Sequence, residues 1–190
     1  MRVLRISLQC TAFVMLFHFT ACTKPTTNFS SIWKDETYQA QTERILVINA
    51  FKDPGYRRQF EDGFVTALKD RRIDAVVSYR VMPDISTPVL VDKDAIAVQA
   101  KAVGADAVFI NRPLGTEQKD VWVSNTDGTD KYKLYINTQT DVYDMRTNRL
   151  VFSVSAETRI QKNKLYADQI QSYIKDLVNM MSQAGLLSKL

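Results

Sequence analysis

The hydrophobic pattern in the first half of the chain alternates between continuous apolar runs and helical spacing. A continuous apolar run at 44–51 predicts a buried strand, and 73–81 and 106–111 predict a second and a third strand. Between them, residues 53–72 and 92–103 carry apolar side chains at a spacing of three or four, which predicts two helices. Asp53 and Pro54 match an N-cap and a first helical residue, and Gly104 matches a helix end. This order predicts a βαβαβ unit with parallel strands and two or three layers.

The second half changes to a period of two. Residues 131–143 and 150–160 alternate between apolar and polar positions, which predicts strands with one buried and one wet face. The cluster 125–130 contains Asp-Gly and predicts a turn, and 144–149 predicts another. Residues 165–184 return to the helical period. The predicted fold class is therefore α/β (mixed α+β): a βαβαβ unit, an antiparallel β-meander and a C-terminal helix, forming one mixed sheet with helices packed on it.

The alternation also assigns side chains to the two faces of the meander. One face of the first strand is expected to hold Tyr132, Leu134, Ile136, Thr138, Thr140 and Val142. The opposite face is expected to hold Lys133, Tyr135, Asn137, Gln139 and Asp141. On the next strand Leu150, Phe152, Val154, Ala156 and Ile160 are expected to share the buried face. The C-terminal helix is expected to cover the meander or the sheet beside it.

The N-terminal residues have a separate character. Met1–Arg5 carry two positive charges, Ile6–Phe19 are mostly apolar, and Thr20 and Ala21 are small. A charged start, a short apolar core and a small-residue exit predict a secretory signal peptide, and the apolar run is short for a membrane span of about 20 residues. A short N-terminal anchor helix and a plain signal peptide remain as alternatives.

Residues 19–22 resemble the lipobox of bacterial lipoproteins, with Phe19 in place of the usual Leu. The resemblance implies transfer of a diacylglyceryl group to Cys22, cleavage before it, and acylation of the new N-terminus with a fatty acid such as palmitate. Two or three acyl chains anchor a protein stably, because each buried methylene contributes about 0.8 kcal/mol. Thr23 follows the cysteine where an Asp would imply retention in the inner membrane. The implied location is the periplasmic leaflet of the outer membrane.

These observations divide the chain into three segments. Residues 1–21 are expected to be a lipoprotein signal peptide and residues 22–43 an acylated N-terminus and tether, since 23–31 are polar and rich in Thr and Ser. Trp33 and Tyr38 are expected to pack on the domain surface. Residues 44–190 are expected to form a single periplasmic α/β domain, a length sufficient for a real core.

Removal of residues 1–21 limits the chemistry that remains. The one histidine, His18, and one of the two cysteines, Cys10, would be lost, and Cys22 would be acylated. Ser-His-Asp and Cys-His catalysis and Cys/His zinc sites then have no residues to use. The formal charge falls from +4 to +2 with the loss of Arg2 and Arg5, so the charge of the remaining chain does not indicate nucleic-acid binding. We therefore predict no cofactor, no metal and no catalytic residue, and what remains is carboxylate chemistry or binding.

Two groups of acids have both a functional and a structural interpretation. Asn125, Asp127 and Asp130 could hold calcium through oxygen ligands, but no Glu follows at EF-hand spacing and a hairpin turn accounts for them. Asp92 and Asp94 could act as paired carboxylates, but acids are favoured at a helix N-terminus for electrostatic reasons alone.

Three aromatic residues suggest a further binding function. Tyr135, Tyr143 and Trp122 could line a polar sheet face that binds glycan. The residue types fit such a surface, but they do not specify a ligand.

The order of elements behind a lipobox resembles a group of periplasmic lipoproteins. The group includes the curli-secretion lipoprotein, the Pel-polysaccharide lipoprotein, the penicillin-binding-protein activator lipoproteins and the N-terminal domain of the Tol-system β-propeller protein. The local likeness lies in Gly-Ala-Asp-Ala-Val at 104–108 and in the Tyr-Asp…Leu-Val turn at 143–151. These motifs are structural, so only Cys22 carries a role over from the resemblance. The group implies noncatalytic roles in envelope assembly, polymer export or activation of a wall enzyme.

The sequence thus favours an outer-membrane-anchored binding or assembly module. Its expected partners are membrane lipid through acylated Cys22, and an envelope protein or further copies of itself, with no nucleic acid. The alternative is a carboxylate-dependent enzyme that acts on cell-wall glycan. A third hypothesis is an oligomeric collar, for which the polar face of the meander argues against membrane insertion but not against a soluble ring.

Overall fold

The structure, a computed structural model, describes residues 27–39, 42–83, 93–120, 132–160 and 166–187. The predicted signal peptide, the lipobox and Cys22 lie outside these ranges. Asp92 and the turn cluster 125–130 lie outside them as well.

The described residues form one mixed sheet with three helices. Their order along the chain is β1 (Thr27–Lys34), β2 (Arg44–Asn49), α1 (Pro54–Lys69), β3 (Asp74–Val77), α2 (Lys93–Ala102), β4 (Ala107–Asp120), β5 (Tyr132–Asp144), β6 (Arg149–Arg159) and α3 (Tyr166–Gln183). The six strands lie in the order β1-β6-β5-β4-β2-β3. Strands β3, β2 and β4 are parallel, and the remaining pairs are antiparallel. The predicted fold class is confirmed.

The helices lie on both faces of the sheet, but unevenly. Alternate residues of β2 point to opposite faces, so Ile45 and Val47 join one buried cluster and Leu46 and Ile48 join another. The larger cluster packs α1 and α3 against five strands, whereas the smaller one packs α2 against β2 and β4. The molecule therefore has three layers over the parallel strands and two over the meander.

Helix α1 begins as its sequence predicts. The Asp53 side chain accepts a hydrogen bond from the Tyr56 N–H at 2.5 Å, and Pro54 is the first helical residue. Phe60, Phe64 and Leu68 are completely buried on one face. The helix ends at Lys69, three residues before the expected end.

The second parallel strand is shorter than predicted. The apolar run 73–81 predicts one strand, but β3 ends at Val77 and a 3-10 turn covers Ser78–Arg80. The Ser78 hydroxyl and the Tyr79 N–H both donate to the Glu61 carboxylate, at 2.7 and 3.1 Å. These bonds draw the backbone out of the sheet and toward α1, which ends the strand.

Residues 27–34 are a strand and not part of a tether. They form β1, which pairs antiparallel with β6 and places Phe29 against the core. The polar composition that suggests a linker is that of an edge strand with an exposed face. A bulge at Ser31, with φ of 50°, leaves Ile32 and Trp33 about half exposed. The tether prediction for 22–43 is therefore wrong for this stretch.

The predicted faces of the meander are confirmed on β5 and shifted at one point on β6. Thr138, Thr140 and Val142 are buried on the same side, as expected. On β6 the register shifts so that Val142 faces Phe152 while Tyr143 faces Leu150. The extra residue, Val151, joins the core, and Leu150 lies on the opposite face from the one predicted.

Candidate binding surface

The meander presents a polar face on the side of the sheet away from α1 and α3. Strand pairing aligns Gln139 with Arg112 on one side and Ser155 on the other, and Asp141 with Ser153. Because directly opposed residues share a face, these five side chains form one patch, here called the polar face. Helix α2 covers the neighbouring apolar positions of β2 and β4. Within the described residues, no helix packs over the polar face.

The polar face is held rigid by cross-strand hydrogen bonds. Asp141 is only 4% exposed, although the alternation predicts a wet position. Its carboxylate forms an ion pair with Arg112 Nη2 at 3.0 Å, and it accepts hydrogen bonds from Ser153 Oγ at 2.7 Å and Gln139 Nε2 at 3.2 Å. The Gln139 carbonyl oxygen in turn accepts from Ser155 Oγ at 2.8 Å. Side chains fixed in this way lose little conformational entropy when they bind a partner.

Charged and aromatic groups flank the polar face at its two ends. At one end Lys119 forms an ion pair with Glu157 and lies 4.9 Å from the centre of the Tyr135 ring. The hydrogen bond to Glu157 raises the pKa of Lys119. At the other end Trp33 is aligned with Ser153 and is 47% exposed. The ends are about 20 Å apart, because six residues at 3.3 Å separate Ser153 from Arg159, the partner of Tyr135.

Of the three aromatic residues that the sequence suggests for a polar sheet face, the structure describes two. Tyr135 lies on the same face as the polar patch. Tyr143 lies on this side too, beneath the Lys93 ammonium at 5.6 Å, and burial, followed by the charge of Asp141, raises its pKa. Trp122 lies outside the described residues. Trp33, on a strand that the sequence did not predict, completes the aromatic set.

A second polar cluster lies at the carboxyl ends of β2 and β3. The Glu61 carboxylate, 0% exposed, accepts from the Asn49 N–H at 3.0 Å, Arg57 Nε at 3.0 Å, Ser78 Oγ at 2.7 Å and the Tyr79 N–H at 3.1 Å. Arg57 also donates to the carbonyl oxygens at 82 and 83, at 2.8 and 3.1 Å. Open α/β sheets commonly bind ligands at this position, but here protein side chains fill it.

A third polar group runs through the core beneath the meander. Asn111 Nδ2 donates to Asn49 Oδ1 at 2.9 Å, and Thr140 Oγ1 donates to Asn111 Oδ1 at 3.1 Å. The Tyr173 hydroxyl, whose pKa is raised by burial, joins this group from α3 and lies 3.0 Å from Thr138 Oγ1. The row joins α3 to three strands, so its role is structural.

The acids that the sequence suggested as ligands are only partly described. Asp94 is exposed in the first turn of α2, while Asp92 and the possible calcium ligands lie outside the described residues. In the described ranges no three His, Cys, Asp or Glu side chains are placed to share a metal ion. Nor does any described helix have the length and hydrophobicity of a membrane span.

The two short motifs meet at one end of the sheet. Gly104, with φ of 66°, ends α2, and Asp106 accepts from the N–H groups of Glu43 and Arg44 at 2.9 and 3.1 Å. Asp144 accepts from Thr147 Oγ1 at 2.8 Å and from Arg146 Nε at 3.0 Å across the β5–β6 turn. Asp106 therefore holds the start of β2 beside β4, and Asp144 fixes a turn, which explains why the motifs mark a fold and not a reaction.

Comparison with known proteins supports the fold. No family model and no curated protein matches the chain. The structure is similar to the PelC dodecamer from Paraburkholderia phytofirmans, with a TM-score of 0.54, 10% identity, and coverage of 86% of this chain and 99% of that one. The lipoprotein GNA1162 from Neisseria meningitidis matches with a TM-score of 0.47, 13% identity, and coverage of 74% and 98%. The expected likeness to the Pel-polysaccharide lipoprotein is confirmed at the level of the fold.

Proposed function

We propose that the protein is a lipoprotein of the cell envelope that acts as a noncatalytic binding or assembly module. Acylated Cys22 would hold it to the periplasmic leaflet of the outer membrane. The observation that carries the binding role is the polar face, whose five side chains are fixed by hydrogen bonds and one ion pair and lie beside the half-exposed Trp33. A rigid polar sheet face with an aromatic edge suits recognition of another surface.

The buried carboxylates support a noncatalytic role. Glu61, Asp141 and Asp144 each accept at least three hydrogen bonds or ion-pair contacts from neighbouring protein groups. A general acid or base has to face the substrate with a lone pair or a proton to exchange. These three side chains serve the fold instead, which disfavours the alternative of a glycan-cleaving enzyme.

The partner that we propose is an envelope protein or another copy of this chain. PelC, which has a similar fold, is a dodecamer. A flat sheet face is compatible with either a second protein or a neighbouring subunit, and both would contact the same rigid side chains.

The test is cross-linking of the tagged protein in its own membranes, followed by identification of what is joined to it. Asn137→Arg adds bulk and charge beside the polar face, between Gly115 and Glu157 in register. Gln59→Arg makes the same change in charge on α1, in the opposite layer, and serves as the control. We expect the cross-linked product to form in the parent and the control and to be lost with Asn137→Arg.

Two results would count against the proposal. If Asn137→Arg leaves the product unchanged, the polar face is not the contact surface. If the mass of the purified protein shows no acyl group, or Cys22→Ala fractionates as the parent does, then the lipid anchor is absent.

A further inference from the structure

One row of residues relates the start of β1 to the long β4–β5 hairpin. Thr27 is aligned with Thr158, Thr158 with Ile136, and Ile136 with Thr116. The hydroxyl groups of Thr27 and Thr158 lie 3.1 Å apart. Strand β1 starts at this row and runs from it toward Lys34, whereas β4 and β5 extend past the row in the opposite direction.

The hairpin continues well beyond that row. Strand β4 extends from the row to Asp120, and β5 starts at Tyr132, its partner there. The four residues 117–120 add about 13 Å at 3.3 Å per residue. We call residues 117–120 and 132–135 the hairpin end. The hairpin end therefore extends past Thr27, in the direction opposite to that in which β1 runs.

The short connection to Cys22 limits how far the hairpin end can lie from the membrane. This step rests on the proposed function, in which Cys22 is acylated. Five residue steps separate Cys22 from Thr27, and a fully extended chain spans about 3.3–3.6 Å per residue, or about 17–18 Å in all. With the strands upright, Cys22 can lie at most about 5 Å beyond the hairpin end along the strand direction, and a bent connection lowers this limit.

The side chains of the hairpin end suit a lipid surface. Leu134 is 40% exposed, and Lys119 and Lys133 stand opposite each other in register. A lysine side chain such as that of Lys133 extends along an apolar surface while its ammonium group stays at the headgroups, and tyrosines such as Tyr135 are frequent at that depth. Lys119 is held in its ion pair with Glu157. Glu117 and Glu157 balance the lysine charges, so the match is to a headgroup layer in general and not to an anionic lipid.

We propose that the hairpin end is a membrane-contact surface, which seats the domain with its strands upright on the leaflet that holds Cys22. The polar face then stands perpendicular to the membrane, where it is open to a partner beside it.

The test uses the full, acylated protein in vesicles of phosphatidylethanolamine and phosphatidylglycerol. Glu117→Cys places a fluorescent label on the hairpin end, and Glu36→Cys places the same label at the far end of β1. Both glutamates are exposed, so the two changes are matched in charge and exposure. Lys133→Cys gives a second label on the hairpin end. A quencher attached to the lipid headgroups reports proximity, and the protein mass reports acylation.

We expect strong quenching at positions 117 and 133 and weak quenching at position 36. Equal quenching at both ends, or stronger quenching at position 36, in acylated protein overturns the membrane contact and leaves the proposed anchor intact. An unacylated mass removes both the anchor and the inference that rests on it.

Discussion

The buried ion pair within α1, whose carboxylate also binds the turn after β3, should be among the most sensitive points of the fold. Glu61 and Arg57 are 0% and 5% exposed, and their contact at 3.0 Å is one of four hydrogen bonds to the Glu61 carboxylate. Glu61→Gln keeps the shape, but it replaces an oxygen that accepts a bond with an NH2 group and leaves the arginine charge uncompensated. Breaking such a buried pair costs about 3–5 kcal/mol, out of a total stability of about 5–15 kcal/mol.

A double-mutant cycle measured by urea unfolding separates the pair from its surroundings. We expect Glu61→Gln and Arg57→Met each to lower the free energy of unfolding by about 3 kcal/mol. The double variant should lose at least about 1 kcal/mol less than the sum, because it leaves no unpaired charge. Asp70→Asn, at the exposed end of the same helix, is the control and should change stability by less than about 0.5 kcal/mol. Losses below about 1 kcal/mol with no coupling would refute the reasoning.

Three further predictions concern other parts of the domain. Burial alone would raise the pKa of Asp144, but hydrogen bonds from Arg146 and Thr147 lower it overall; Asp144→Asn should cost about 1–2 kcal/mol of unfolding free energy near neutral pH. A carboxyl group whose pKa is lowered in the folded protein stabilises the fold at pH values above its ordinary pKa, and this stability is lost as the pH falls through the lowered pKa. The difference in unfolding free energy between Asp144→Asn and the parent, measured with urea, should therefore vanish in acid. The Asp62 hydrogen bond raises the pKa of Tyr79, so Asp62→Asn should shift tyrosinate formation, followed by absorbance, to lower pH; an unchanged titration would contradict this. A Cβ on Gly63 would lie 2.9 Å from Ile174 Cδ1, so the side chain of Gly63→Leu should push α1 away from α3. The free energy of unfolding should fall by about 2–3 kcal/mol, and an unaltered melting temperature would argue against this packing.

The strongly periodic parts of the fold were predictable from the sequence. Helix α1 shows its start through Asp53 and Pro54, and its buried stripe through Phe60 and Phe64. These signals are local, because a cap and a helical period depend on neighbours within four residues. The end of β3 was not predictable in this way. It depends on bonds from Ser78 and Tyr79 to Glu61, 17 and 18 residues earlier in the chain.

The missed strand and the candidate surface have the same physical explanation. Strand β1 is an edge strand, so only residues such as Phe29 on one side show a hydrophobic signal. The burial of Asp141 depends on Arg112 and Ser153, which come from the two neighbouring strands. Alternation identifies the polar side of a strand, but it cannot show which polar side chains find partners there. For Trp33 the sequence predicts only that it packs on the domain surface.

The pairing of β1 with β6 sets the order in which the domain can be completed. Thr27 and Thr158 are 131 residues apart along the chain, although their hydroxyl groups touch. A chain that emerges N-terminus first presents β1 long before its partner strand exists, and contacts so distant in sequence form late. Strand β1 thus has no β6 to pair with while most of the sheet is being made. Closure of the sheet at this edge waits for β6, and it joins the first described strand of the chain to the last.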